Sequence, residues 1–130
     1  MRTLIVEDDF TSRLLLQSFL SEHGDCHIAV NGREAVAAFR AAQERGQAYD
    51  LICMDIMMPE MDGYHAVREI RALEEATGTR SANRVKIIMT TALNDANNVV
   101  ESLKGSYDAY LLKPIHKKEL LGHIRDFHLV

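Results

Sequence analysis

Five short apolar runs, Thr3–Val6, Cys26–Val30, Leu51–Met54, Val85–Met89 and Ala109–Leu112, recur along the chain, each too short for a helix. The stretches that follow them, Ser12–His23, Arg33–Arg45, Tyr64–Ala76, Asp95–Lys104 and Lys117–His128, carry apolar residues at three- and four-residue spacing. That spacing predicts five amphipathic helices. A strand–helix unit repeated five times implies a parallel sheet joined by right-handed crossovers, with helices on both faces.

Local punctuation agrees with these boundaries. Thr11, Asn31 and Asn94 are placed to cap the first, second and fourth helices, and Gly24 and Gly46 follow the first and second. Thr77–Arg84 is the longest polar loop. With 47% apolar residues in 130, the chain can fill one core, so residues 1–130 are expected to form a single domain.

Charge and hydropathy exclude several classes of function. Fifteen basic residues against nineteen acidic ones leave a net charge of −4, which disfavours nucleic-acid binding by bulk electrostatics and favours a protein or small-molecule partner. No apolar run approaches the roughly 20 residues that span a bilayer, so no membrane association is expected. The amino terminus MRTLIVEDDF meets acidic residues too early for a signal peptide, and a cytoplasmic location is expected. Cys26 and Cys53 lie in apolar runs and read as buried thiols. The six histidines lack zinc-like spacing, and Met54, Met58 and Met61 read as packing.

In an open parallel sheet, functional groups gather at the carboxyl ends of the strands. Glu7, Asp8 and Asp9 follow the first strand and Asp55 ends the third, while Thr90 and Thr91 close the fourth and Lys113 follows the fifth. Any one of these acids alone is an ordinary loop-end carboxylate near a helix amino terminus. Four polar strand ends out of five describe a shared cleft instead. If the first and third strands are neighbours, the carboxylates converge, and a hard cation with oxygen ligands, magnesium above all, relieves their repulsion. Lys113, flanked by Leu111, Leu112, Pro114 and Ile115, finds its partner by reaching into that cleft.

VEDD at 6–9, MDIMMPEMDG at 54–63, TTA at 90–92 and YLLKP at 110–114, in that order, resemble the receiver domain of response regulators, the CheY-like family, over essentially the whole chain. The resemblance implies an α/β flavodoxin-like (βα)5 fold, a doubly wound parallel sheet of strand order 2-1-3-4-5, for which the chemotaxis member of the family is a standard example. It also implies phosphoryl transfer. Asp55 would accept a phosphoryl group from a histidine kinase, a histidine phosphotransfer protein or a small acyl phosphate. Asp8 would ligate magnesium directly, Glu7 through water, Asp55 with one oxygen and Met57 through its backbone carbonyl, with Asp9 a neighbour only.

By the same resemblance, Lys113 and the metal would neutralise the phosphoryl oxygens. Thr91 would donate to the modified Asp55, and Tyr110 would change rotamer as the switch. The domain would catalyse only its own phosphorylation and dephosphorylation and would act on a downstream protein target as a monomer or weak dimer. The positions two after Asp55 and two after Thr91 are Met57 and Leu93, both apolar, which implies a long-lived phosphoryl-aspartate. One departure is Ser106, where the family often has Gly four residues before the aromatic, with Gly105 one earlier.

Two rival readings share the fold. A magnesium-dependent phosphohydrolase with an aspartate nucleophile needs an acid two residues later, where Met57 stands. A flavodoxin-like cofactor binder needs hydroxyls and glycines in its first loop, where Glu7, Asp8 and Asp9 stand. With the sequence ending at Val130, the expectation is either a stand-alone regulator, as in chemotaxis and phosphorelays, or a piece of a longer one.

Overall fold

The structure is a computed structural model that describes residues 1–58, 60–92 and 105–130. The chain runs through β1 (Arg2–Val6), α1 (Phe10–Leu20), β2 (Asp25–Ala29), α2 (Gly32–Glu44), β3 (Leu51–Asp55), α3 (Gly63–Ala76), β4 (Lys86–Thr91), β5 (Ala109–Leu112) and α4 (Lys117–Asp126). All strand pairs are parallel, in the order β2-β1-β3-β4-β5. This is the strand order of the expected doubly wound fold. The expected helix Asp95–Lys104, its cap Asn94, Leu93 and Pro59 lie outside the described residues.

Alternation along each strand divides the core into two layers. Leu4, Val6, Ile52, Met54, Ile87 and Met89 point to the side covered by α2 and α3. Ile5, Leu51, Cys53, Ile88 and Leu111 point to the side covered by α1 and α4. The central strand β3, with neighbours on both edges and helices on both faces, is buried along its whole length, which is why it reads as a continuous apolar run ending in one carboxylate.

Boundaries shifted by one to three residues. β4 continues past Met89 through Thr90 and Thr91, because its ladder with β3 runs on to the Asp55–Thr90 pair. α1 begins at Phe10 and gives way at Ser21–His23 to a single 3-10 turn. The cap of α1 is Asp9 and not Thr11: Asp9 has extended backbone, and its carboxylate accepts from the Ser12 amide at 2.8 Å. An Asp supplies a stronger acceptor at the positive end of the helix than a Thr two residues further in. Asn31 caps α2 as expected, accepting from the Glu34 amide at 2.8 Å. The polar loop 77–84 contains one further 3-10 turn, Ser81–Asn83. Among the described residues no helix is long and apolar enough to cross a membrane.

Candidate phosphoacceptor site

The carboxyl ends of β1, β3, β4 and β5 surround a cleft of about 180 Å³ lined by Glu7, Asp8, Asp55, Met57, Thr91 and Lys113 among others. The topology makes the cleft: β1 and β3 are hydrogen-bonded neighbours, so the acids after one meet the acid ending the other. One ligand oxygen from each of Glu7, Asp8 and Asp55 lies within 4.8 Å of the other two. Asp9 is outside this group, because its carboxylate is committed to capping α1.

Each group is held by its own local structure. Glu7 is fully buried, and its amide extends the β1–β2 ladder by donating to the Ala29 carbonyl at 3.0 Å. Arg13, one turn into α1, donates from Nη1 to the Glu7 carbonyl at 3.3 Å, a support that nothing in the sequence pattern singled out. Asp55 is 4% exposed. Behind it the chain turns sharply, with the Gly63 amide donating to the Ile56 carbonyl at 2.9 Å. A Cβ on Gly63 would lie 2.5 Å from the Asp55 carbonyl oxygen, so only glycine lets α3 begin there.

Lys113 enters as expected. Its Nζ lies 3.2 Å from Asp55 Oδ1 and 3.0 Å from Glu7 Oε2, and its amide donates to the Thr91 carbonyl at 2.8 Å, fixing the end of β5 against β4. Burial opposes the charge of Lys113, but its bonds to Glu7 and the Asp55 charge outweigh this and raise its pKa above the usual lysine value. Burial, reinforced by the Glu7 charge and only partly offset by Lys113, pushes the Asp55 carboxyl up to about 7. Three grouped carboxylates and one ammonium leave the site short of positive charge. Closely spaced carboxylate oxygens of this kind, two from the buried Glu7 and Asp55 and one from the exposed Asp8, fit a hard divalent cation.

The remaining expected residues surround this centre. Thr91 is buried, and its hydroxyl donates to the neighbouring Ala92 carbonyl at 3.1 Å. Tyr110 is 40% exposed, its ring edge-on to Tyr107 at a centroid distance of 6.3 Å. The Met57 side chain is exposed at the rim. A larger hollow of about 470 Å³ is lined by Arg71 and Glu74 of α3, among others. There Arg71 is engaged by Glu74 Oε1 at 2.7 Å, the Val85 carbonyl at 2.9 Å and the Ser106 carbonyl at 2.8 Å. That network ties α3 to β4 and to the start of β5, and its i,i+3 Arg–Glu spacing was its one trace in the sequence.

Residues 3–125 match the family described as response regulator receiver domain. The chain belongs to that family. A similar curated protein is the transcriptional regulatory protein AruR of Pseudomonas aeruginosa, 33% identical over 126 residues, covering 96% of this chain and 48% of AruR. The chain thus spans about half the length of that relative.

Among solved structures, the receiver domain of the sensor histidine kinase PA1611 from the same organism shares 32% identity at a TM-score of 0.77, covering 97% of this chain and 95% of that one. That structure has a magnesium ion coordinated in its active-site cleft. The receiver domain of the histidine kinase CKI1 of Arabidopsis thaliana, complexed with Mg2+ and BeF3−, shares 31% identity at a TM-score of 0.76, covering 98% and 89%.

Proposed function

We propose that this chain is a magnesium-dependent phosphoryl-accepting receiver of a two-component system, with Asp55 as the acceptor. The observation that carries the reading is Asp55 itself. It is a nearly buried carboxylate at the end of the central strand, with Lys113 Nζ at 3.2 Å and the Glu7 and Asp8 carboxylates grouped beside it.

Glu7, Asp8 and one oxygen of Asp55, with the Met57 backbone carbonyl, would hold Mg2+, which when bound supplies positive charge to the phosphoryl oxygens. The rigid strand end holds the other Asp55 oxygen toward the cleft for in-line attack. Lys113, already paired with Asp55, follows the developing charge onto a phosphoryl oxygen. Attack by a carboxylate requires no general base, because the nucleophile carries no proton once ionised.

After transfer, Thr91 turns its hydroxyl from the Ala92 carbonyl to the phosphoryl group, and the movement of the strand end gives Tyr110 a reason to leave its exposed position. The donor is a histidine kinase or histidine phosphotransfer protein, and the readout is a downstream protein bound through the altered surface. The chain acts as one receiver unit with no reaction beyond its own phosphorylation and dephosphorylation. Met57 and Leu93, two residues after Asp55 and Thr91, bring no polar side chain with which to order a hydrolytic water, so the phosphoryl-aspartate is long-lived, and loss of the label within seconds would contradict this.

Intact-mass measurement after incubation with acetyl phosphate and magnesium tests the reading. One phosphoryl group is expected on the native chain, and none on Asp55→Asn or in a chelated sample. Absence of the adduct with both acetyl phosphate and a phosphohistidine donor, in folded protein that binds magnesium, would overturn it.

A further inference from the structure

Lys113 follows β5, and Asp55 ends β3, with β4 between them in the sheet. To bring its Nζ within 3.2 Å of Asp55, the Lys113 side chain must therefore pass over the end of β4. At that end of β4 stands Thr90. It is the register partner of Asp55 on one side and of Leu111, two residues before Lys113, on the other. In parallel pairing, partners share a face, and alternation puts Asp55 with Cys53, Thr90 with Ile88 and Lys113 with Leu111, all on the side packed by α1 and α4.

Thr90 is 1% exposed, and its hydroxyl has no hydrogen-bond partner among the described residues. A buried hydroxyl left unpaired is destabilising, and valine would fill the same volume without that cost. By register, Thr90 instead shares a sheet face with a carboxylate that accepts, Asp55 on the adjoining strand, and an ammonium that donates, Lys113 beyond the next. We infer that Thr90 is a positioning residue for phosphoryl transfer: its hydroxyl engages the Asp55–Lys113 pair as the phosphoryl group arrives, fixing the rotation of the carboxylate and the place of the ammonium. This rests on Asp55 being the acceptor.

In the transfer from acetyl phosphate, a bond forms between an Asp55 oxygen and phosphorus. The bond from phosphorus to the acetate oxygen breaks, and acetate leaves with the electron pair. Thr90 moves no proton in the step; it acts through the two groups it would engage.

The test compares Thr90→Val and Thr90→Ser with the native chain by intact-mass time courses over a range of acetyl phosphate concentrations at saturating magnesium, with thermal melts in parallel. Positioning predicts that Thr90→Val keeps or raises the melting midpoint yet lowers the limiting rate about tenfold, with the half-saturating donor concentration unchanged. Thr90→Ser, which restores the hydroxyl but loses a methyl, is expected within about threefold of the native rate despite a lower midpoint. Native rate in Thr90→Val, or a Thr90→Ser rate that falls in step with its stability, makes Thr90 a packing residue and overturns the inference. If Thr90→Val does not fold, Thr90→Ala against Thr90→Ser decides the same point, equal rates being the overturning result. A native chain that takes no phosphoryl group fails at the acceptor, a result seen before any Thr90 variant is read, and the inference falls with it.

Discussion

Replacing Asp55 with asparagine is expected to make the metal-free protein more stable at neutral pH while abolishing phosphoryl acceptance. The carboxyl is pushed from the usual 3.8 up to about 7 by burial first and the Glu7 charge second, with Lys113 offsetting part of the effect. Because the folded-state pKa lies above the unfolded one, the native protein keeps a proton that the unfolded chain releases across this interval. The resulting stability is present below about pH 4 and is lost as pH rises through about 7. Three units at about 1.36 kcal/mol each set the cost of the ionised group at neutral pH on the order of 4 kcal/mol. Asparagine also weakens the contact with Lys113, so a net gain of about 2–3 kcal/mol, or roughly 10 °C in melting midpoint for a domain this size, is expected.

Thermal denaturation followed by circular dichroism in EDTA at pH 7.5 and 4.5 measures it. The gap between the two proteins should shrink to about 1 kcal/mol or less at the lower pH. Magnesium should raise the midpoint of the native chain more than that of the variant, because only the native chain gains a compensated carboxylate. An Asp55→Asn variant no more stable than the native chain in EDTA at pH 7.5, or a gap that does not close on acidification, would refute the electrostatic reasoning.

Other substitutions test separate parts of the site. Lys113→Met leaves buried Glu7 and Asp55 facing each other without a counter-charge, and should cost about 2 kcal/mol in EDTA, discounted because Lys113 is partly solvated; a melt as high as that of the native chain counts against the pairing. Asp8→Asn should weaken magnesium binding by about tenfold or more with little change in metal-free stability, measured by calorimetric titration. Gly63→Ala sets a methyl against the Asp55 carbonyl, where a Cβ would stand 2.5 Å away, and should destabilise by about 1–3 kcal/mol and slow phosphorylation. An unchanged melt would show that the turn after β3 yields more easily than its geometry implies.

Much of the site was legible before any fold was known, because strand ends in a repeated strand–helix pattern are marked by where an apolar run stops. Asp55 stands out as a carboxylate closing a wholly apolar strand, and Lys113 as a cation flanked by apolar residues with no local partner. The identity of the α1 cap was misplaced at Thr11, since Asp9 and Thr11 are both plausible caps and only the backbone at Asp9 decides between them. Arg13 and the Arg71–Glu74 network were missed because their partners are carbonyl oxygens and residues far along the chain.

What the sequence by itself determined is the local part: element types from periodicity, most boundaries from caps and glycines, and the polar residues at each strand end. These depend on neighbours within a few residues. The order β2-β1-β3-β4-β5 came only from the family resemblance and is decided by long-range pairing, which no local pattern encodes. From that order follow the features that define the candidate site. β1 beside β3 forces Glu7, Asp8 and Asp55 together, β4 between β3 and β5 makes Lys113 reach past a strand to Asp55, and burial lifts the Asp55 pKa. Charge separation and desolvation depend on distance in space, and in this chain Glu7, Asp55 and Lys113 are close only after the sheet has formed.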